Sequence, residues 1–369
     1  MVGGPADPNE RLPSVAAGPE DGLPSVPADP NERLPNAPGD PVGGLRSAPT
    51  APSDGPPGGS IFNLDRPGAG LYLAAWFFAA VAFGLIVIAL LADSATARGL
   101  LALAGFVALV LCFGSAGGYQ IVARARRPVG AYRGPSPLIA FGFAVALSSL
   151  LAVLLDVVPV LDPSTALGFL VGLLFVFAGY FVALLLLVVR AGVFRWRGLA
   201  RLAADPGRRV ADFLVGAGSG LVAVLPLAFL GGLLANALDI SAGDRFPDVS
   251  TGLALALVVV SVVLVAPLGE ELFFRGFALS AWWADLGPGV ALRRSAVFFA
   301  FVHVFNASGT TFREAAGGAL IQFVVIFPMA VLLGILYERR GLAASFGAHM
   351  AYNAGVLGLA LLATGTLPH

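Results

Sequence analysis

The sequence predicts an all-α protein: a polytopic membrane helix bundle of about eight or nine transmembrane helices, preceded by a disordered N-terminal tail. Of the 369 residues, 57% are hydrophobic and only 12% are charged, as is typical of polytopic membrane proteins. The apolar residues fall into successive runs that each approach the roughly 20 residues needed to cross a bilayer. These observations exclude an ordinary soluble enzyme domain.

Residues 1–66 have a different composition from the rest of the chain. They are rich in proline, and the eight residues at 6–13 recur at 28–35. The segment has no apolar run that could serve as a signal peptide or form a core. We therefore predict a disordered cytoplasmic tail, which acts either as a spacer or as a docking site for a partner.

Apolar segments follow the tail, and we predict a membrane helix in each of them. They lie at 71–92, 100–123, 138–156, 166–189, 212–238, 250–284, 290–305, 315–337 and 342–363. The sixth contains Pro267, so we expect a kink or tilt there. The seventh is short, and we expect neighbouring helices to shelter it. We divide this part into N-terminal transmembrane helices at 67–209 and a catalytic domain at 210–369.

Arginine predicts the orientation in the membrane. Fourteen arginines lie in or beside alternate connections, whereas the remaining connections hold only Arg98, Arg245 and Arg313. By the positive-inside rule, the N-terminus is cytoplasmic and the C-terminus is outside. We predict an integral protein of the plasma membrane. The basic loops have an alternative interpretation as lipid- or nucleic-acid-binding patches, but orientation explains them more simply, and we expect no nucleic-acid partner.

Three charged residues interrupt the sixth apolar segment: Glu270, Glu271 and Arg275. Each charge near a helix centre costs about 2.5–3.5 kcal/mol on the translocon insertion scale, so a functional site is the default hypothesis. Glu271 and Arg275 are four residues apart, share one helix face and can pair. Glu270 points about 100° away and is free for chemistry.

Two histidines lie at similar depth in other apolar segments. His303 and His349 each follow an arginine at the predicted cytoplasmic edge, Arg294 and Arg340, by nine residues. That spacing places both imidazoles about 13 Å into the membrane from the cytoplasmic edge. Glu270 lies roughly 20 Å along its own tilted helix from the same edge. We therefore expect the three side chains to meet in the cytoplasmic half of the bundle.

These residues and Asn353 make a coherent hydrolytic set. A carboxylate and an imidazole can take a proton from water. Asn353 lies four residues after His349 on the same face, where its amide can donate to an oxyanion or simply bond to a neighbouring helix. Glu270, His303 and His349 can also hold zinc with an open water position. Spacing does not decide between metal-bound water and a carboxylate–histidine base.

The chain resembles a known family through three motifs in successive segments. They are Glu270-Glu271-x-x-x-Arg275, Phe299-x-x-x-His303 and His349-x-x-x-Asn353. They are similar to the motifs of the CAAX-protease and bacteriocin-processing family, also called the Abi family, whose eukaryotic members are the type II CAAX prenyl endopeptidases. The resemblance covers roughly residues 210–365, and we expect Phe299 to serve in packing.

The resemblance implies a helical membrane bundle with a cavity open to the cytoplasm and the membrane. It implies that Glu270 and His303 activate water and that His349 and Asn353 bind the developing oxyanion. The second glutamate and the arginine of the first motif would support the site. Because the family is described both as a metalloprotease and as a metal-free glutamate protease, the expected cofactor is a divalent metal such as zinc, or none.

Three functions are consistent with these residues. The first is an endopeptidase that cuts a membrane-associated peptide or protein, either lipid-modified or unmodified, near the cytoplasmic membrane face. The second is a non-catalytic immunity or scaffold protein that binds a peptide. The third is a proton-coupled transporter, which the single cluster and the lack of an inverted repeat disfavour.

Overall fold

The structure, a computed structural model, describes residues 66–128, 131–156, 162, 164–240, 247, 249, 251–307 and 309–364. Within these ranges the regular secondary structure is entirely helical, which confirms the predicted all-α fold. The tail predicted to be disordered lies, up to residue 65, outside the described residues.

Each predicted apolar segment contains a helix, and one short helix was not predicted. In chain order the helices are α1 Ala69–Leu91, α2 Ala95–Arg124, α3 Pro137–Asp156, α4 Ala166–Val189, α5 Trp196–Ala200, α6 Pro206–Leu238, α7 Gly252–Leu286, α8 Pro288–Val304, α9 Phe312–Arg340 and α10 Leu342–Thr364. The unpredicted helix is α5. The division into domains at residues 209 and 210 stays a prediction.

Seven helices among the described residues are long and apolar enough to cross a membrane: α1, α2, α4, α6, α7, α9 and α10. Helix α3 has a shorter apolar stretch, Pro137–Val153. Helix α8 has 17 residues and buries Ala291, Ser295, Ala296, Phe299 and Ala300 against its neighbours. Burial of this face agrees with the prediction that the short seventh segment is sheltered.

Two helices, α6 and α9, begin at earlier residues than hydropathy alone predicts, because polar side chains cap their first turns. Asp205 accepts a hydrogen bond from the Arg208 amide, so α6 begins at Pro206 and not at 212. Thr311 and Glu314 form a capping box that starts α9 ahead of the predicted residue 315. Capping residues satisfy the free amides of a first turn even where that turn is polar.

Glycines bring α6 and α10 into close contact. A Cβ atom added at Gly216 or Gly220 of α6 would collide with the backbone carbonyl of Ala344 or Ala348 of α10. Glycine is therefore required for this backbone approach. Because Ala348 precedes His349, the contact with α6 fixes the position of the imidazole within the bundle.

Helix α7 departs from α-helical geometry at two places. π-helical segments at Val260–Val265 and Glu271–Leu279 flank the α-helical turn Ala266–Glu270. The ring of Pro267 would clash with the carbonyl of Val263 in an α-helix, and the first π segment widens the helix there. The first π segment therefore lies where this proline disturbs the helix, while the kink or tilt expected there stays a prediction.

Residues from several predicted basic connections meet at one end of the bundle. Arg127, after α2, pairs with Asp285 near the end of α7, with Nη1 and Oδ1 2.8 Å apart. The guanidinium of Arg201, after α5, lies over the rings of Trp283 and Tyr337. This convergence matches the predicted arrangement of the loops, while their side of the membrane stays a prediction.

Candidate active site

The two glutamates of α7 have different surroundings: Glu270 ends the α-helical turn, and Glu271 begins the second π segment. The Glu271 side chain is fully buried, whereas 20% of the Glu270 side chain is exposed. Adjacent residues of a helix point in directions about 100° apart, which separates the two carboxylates. One carboxylate is therefore held inside the protein, and the other is accessible.

Glu271 pairs with Arg275 as the four-residue spacing predicts. Oε1 of Glu271 lies 3.2 Å from Nη1 of Arg275, and both side chains are buried. The guanidinium also lies 4.0 Å from the centre of the Phe299 ring, and its Nη2 lies 3.5 Å from the Ala330 carbonyl. Opposite charges removed from water together compensate each other, which allows both ions inside the bundle.

His349 of α10 binds the same buried carboxylate. Its Nδ1 lies 2.9 Å from Oε1 of Glu271. An ionised carboxylate only accepts hydrogen bonds, so we place the proton on Nδ1. The other ring nitrogen, Nε2, then faces Glu270 and lies 3.7 Å from its Oε2. Sequence spacing did not predict the contact between His349 and Glu271.

His303 of α8 approaches Glu270 from another helix. Its Nδ1 donates to the Phe299 carbonyl at 2.8 Å, one turn earlier. A carbonyl only accepts hydrogen bonds, so this contact also fixes the tautomer. Nε2 of His303 lies 3.7 Å from Oε2 of Glu270. The predicted convergence of Glu270 with both histidines is confirmed.

Three side chains therefore face one another through Oε2 of Glu270 and the Nε2 atoms of His303 and His349. The separation of 3.7 Å from each nitrogen to the carboxylate oxygen is too long for a direct hydrogen bond. Atoms at this separation can share one water molecule at ordinary distances of about 2.8 Å. The arrangement can orient a water molecule and take its proton.

Asn353 lies on the same face of α10 as His349 and ties α10 to α7. Its Nδ2 donates to the Val262 carbonyl at 2.9 Å. Val262 belongs to the first π segment of α7, so the side chain bonds to an irregular stretch of backbone. An amide carries two N–H groups, and this contact accounts for one of them.

Phe299 packs against the charged residues of the site. The centre of its ring lies 4.4 Å from that of His303 and 5.8 Å from that of His349. The electron-rich face of the Phe299 ring attracts the positively charged guanidinium of Arg275. Phe299 therefore packs as expected, and its ring also contacts the ionisable side chains of Arg275, His303 and His349.

The predicted metal ligands do not form a metal-binding group in this structure. Among the described residues, no group of three or more His, Cys, Asp or Glu side chains could hold a metal ion. Two ligands of a tetrahedral zinc ion lie about 3.4 Å apart, whereas each Nε2 lies 3.7 Å from Oε2 of Glu270. Each separation is thus about 0.3 Å longer than in a zinc site, and a metal held by Glu270, His303 and His349 stays a prediction.

Comparison with known proteins gives one family match. Residues 252–355 match the family model described as type II CAAX prenyl endopeptidase Rce1-like. The match begins with α7, ends within α10 and includes all three motifs; α6 lies outside it. Curated proteins and solved structures give no match. The resemblance carried by the motifs is thus confirmed for residues 252–355, which are similar to the type II CAAX prenyl endopeptidase Rce1-like family.

Proposed function

We propose that this protein is an intramembrane endopeptidase of the CAAX type that hydrolyses a peptide bond near the cytoplasmic face of the membrane. The family match supports the activity class. The convergence of His303 and His349 on the accessible carboxylate of Glu270 is the observation that carries the proposal.

Water activation is assigned to Glu270 and His303. Oε2 of Glu270 takes a proton from a water molecule as the water oxygen attacks the scissile carbonyl carbon. Nε2 of His303 accepts the second hydrogen of the same water and orients it, since its own Nδ1 is bonded to the Phe299 carbonyl. Both side chains are 15–20% exposed, so water and a peptide can reach them.

Stabilisation of the oxyanion is assigned to His349 and Asn353. With a proton on both ring nitrogens, His349 donates from Nε2 to the developing oxyanion while Nδ1 stays bonded to Glu271. The second amide N–H of Asn353 is the other donor. Glu271, held by Arg275, is a positioning residue because it acts through the orientation of His349.

Collapse of the tetrahedral intermediate completes the reaction. The carbon–nitrogen bond breaks, and the proton held by Glu270 passes to the leaving amine. The products are a new carboxylic acid and a free amine, which become a carboxylate and an ammonium once the acid proton passes to the amine, with no net change at the side chains. A metal-bound water is the other mechanism open to this family. Activity lost on chelation and restored by zinc would favour the metal.

The proposal also includes the orientation of the protein in the membrane and the class of its substrate. The basic ends of α2, α5 and α9 face the cytoplasm, the N-terminus is cytoplasmic, and the protein lies in the plasma membrane. The substrate is a membrane-associated peptide or protein, and the family name suggests that it is lipid-modified. Arg127, which joins the connection after α2 to the end of α7, supports a common side for these ends.

Comparative proteomics of protein C-termini in the membrane fraction tests the activity. Cells that contain the wild-type protein should hold shortened C-termini that are absent from cells with the Glu270→Gln variant. Glu314→Gln is the matched control, since it makes the same chemical change at the start of α9 and glutamine retains the capping acceptor.

Two outcomes would contradict the proposed activity. If Glu270→Gln is inserted normally and yields the same C-termini as the wild type, Glu270 is not the base. If no C-terminus depends on the protein, yet both variants keep its cellular function, the protein binds a peptide as an immunity or scaffold factor without cleaving it.

A further inference from the structure

A polar cavity lies at the end of the bundle where α9 meets α10. Its volume is about 480 Å³, and none of its lining residues belongs to the active site. Its walls are the segment between α5 and α6, the first turns of α6 and the turn after α9. The charged residues that line it are Arg201, Arg208, Arg339, Arg340, Asp205, Asp212 and Glu338.

Two of the three carboxylates already have partners within the protein, and the third, Glu338, has its Oε1 buried without a hydrogen-bond partner among the described residues. Oδ1 of Asp212 lies 2.9 Å from Nη1 of Arg340. Asp205 caps α6 by accepting from the Arg208 amide at 2.8 Å. The Arg208 side chain is 71% exposed, and its Nε is 4.0 Å from Asp212, so it can bind an external anion without breaking a short contact. Arg339 is also exposed.

Backbone contacts fix the shape of the cavity. Arg209 donates from Nε to the Ala203 carbonyl at 2.6 Å and from Nη2 to the Ala204 carbonyl at 2.8 Å. Gly341, with φ of +80°, lets the turn after α9 approach the Arg201 carbonyl, where a Cβ would collide. The backbone that carries Arg208 and Arg339 is therefore held in place, while their exposed side chains can adjust to an anion.

The position of the cavity matches the depth of lipid headgroups. Three candidate membrane spans end beside it: α6 begins at Pro206, α9 ends at Arg340 and α10 begins at Leu342. On α6, Val210 and Leu214 are four residues apart and 60% and 61% exposed. They form an apolar strip that leads from the cavity toward the membrane interior.

We propose that this cavity binds the phosphate of an anionic phospholipid headgroup. Arg208 and Arg339 bind the phosphate oxygens, because the planar guanidinium matches them with paired hydrogen bonds. An acyl chain lies along Val210 and Leu214. Gly341 lies eight residues before His349, about 12 Å along α10, so the bound lipid holds the start of the helix that carries this imidazole.

Lipid titration of the purified full-length protein in detergent tests the proposal. We expect phosphatidylglycerol to raise the melting temperature saturably, since a ligand that binds only the folded state stabilises it. Native mass spectrometry should detect the bound lipid. The double variant Arg208→Gln/Arg339→Gln should need at least about tenfold more phosphatidylglycerol, because each lost charge-assisted hydrogen bond weakens binding by roughly that factor.

A matched double variant controls for general surface charge. Arg126 and Arg197 are exposed, lie on the predicted basic side and do not line the cavity. Arg126→Gln/Arg197→Gln should bind phosphatidylglycerol as the wild type does. Without lipid, both double variants should melt within a few degrees of the wild type, since no short side-chain contact is lost.

Four results would overturn the proposal. Equal weakening in the two double variants would indicate diffuse surface charge, and no weakening in either would place the lipid elsewhere. An equal shift from phosphatidylcholine would show that the headgroup is not recognised. An equal shift from inorganic phosphate would identify a site for a soluble anion instead of a lipid.

Discussion

Helix α1 and the second π segment of α7 both lie in apolar stretches of the sequence, yet they differ in which side chains they bury. In α1 only the alanines Ala69, Ala82 and Ala89 are buried, while large side chains such as Trp76 and Phe83 are exposed. In Glu271–Leu279, every residue except Leu272 is buried, including a glutamate and an arginine. The two regions show that apolar composition alone does not reveal which helix carries the site.

The difference follows from what surrounds each helix. Lipid tails are a uniform apolar solvent, so any apolar side chain suits the exposed face of α1, and a charge there has no partner. The buried face of α7 meets specific atoms of α8, α9 and α10, so a charge is tolerated where its partner lies in place. Substitutions should therefore have larger effects in Glu271–Leu279 than on exposed helix faces.

The largest loss of stability is expected for Arg275→Met. It leaves Glu271 buried beside His349 without the guanidinium, and breaking a buried pair costs about 3–5 kcal/mol of unfolding free energy. Arg98→Met in α2 removes an exposed arginine and should cost less than about 1 kcal/mol. Unfolding of the purified variants in detergent measures both changes.

A double variant shows whether the cost is electrostatic. Glu271→Gln/Arg275→Met removes both charges, so it should recover much of the stability that Arg275→Met loses. Two results would contradict the importance assigned to the buried pair. One is an Arg275→Met variant as stable as the wild type, and the other is a double variant no more stable than Arg275→Met.

Two glycines of α6 sharpen the comparison, because the same substitution is expected to have opposite effects at the two positions. A Cβ at Gly220 meets the Ala348 carbonyl, and such overpacking costs about 1–3 kcal/mol. A Cβ at Gly218 meets open space, and alanine favours the helix there by up to about 1 kcal/mol. Unfolding of Gly220→Ala and Gly218→Ala in detergent tests the difference; equal effects would contradict the close packing of α6 on α10.

Much of this organisation could be predicted from the sequence because it depends on local patterns. Apolar runs located the membrane helices, and the four-residue spacing of Glu271 and Arg275 predicted their ion pair. Equal distances from arginines at the predicted cytoplasmic edge predicted that His303 and His349 reach Glu270, although Arg294 lies inside α8. These inferences need only the regular rise of a helix along its axis.

The remaining features depend on contacts between helices distant in sequence. The bond from His349 to Glu271 depends on the rotation of α10 about its axis, which its packing on Gly216 and Gly220 sets. The π segments leave no periodic signal, and their carbonyls bond to side chains of other helices, such as Asn353. Helix α5 is too short and too basic for a hydropathy pattern to reveal it.

Phenylalanines on α8 provide the next test. Phe299→Leu removes the ring that faces Arg275 and contacts both histidines, so it should cost about 2 kcal/mol and lower the rate of cleavage. Phe301→Leu, two residues later on an exposed face, should cost less than about 0.5 kcal/mol. Unfolding in detergent and the yield of shortened C-termini measure the two effects; similar losses in the two variants would contradict the role of Phe299.

Among the site residues, the smallest effect on stability is expected for Asn353→Ala. It leaves the Val262 carbonyl without this donor, which costs about 1 kcal/mol. Ser219→Ala removes a side chain-to-backbone bond of 2.8 Å within α6 and should cost less, because that bond does not join two helices. Cleavage then separates two roles of Asn353: loss of an oxyanion donor lowers the rate by about 100-fold or more, whereas loss of a structural tie alone does not. A stable Asn353→Ala variant with wild-type cleavage would leave oxyanion stabilisation to His349.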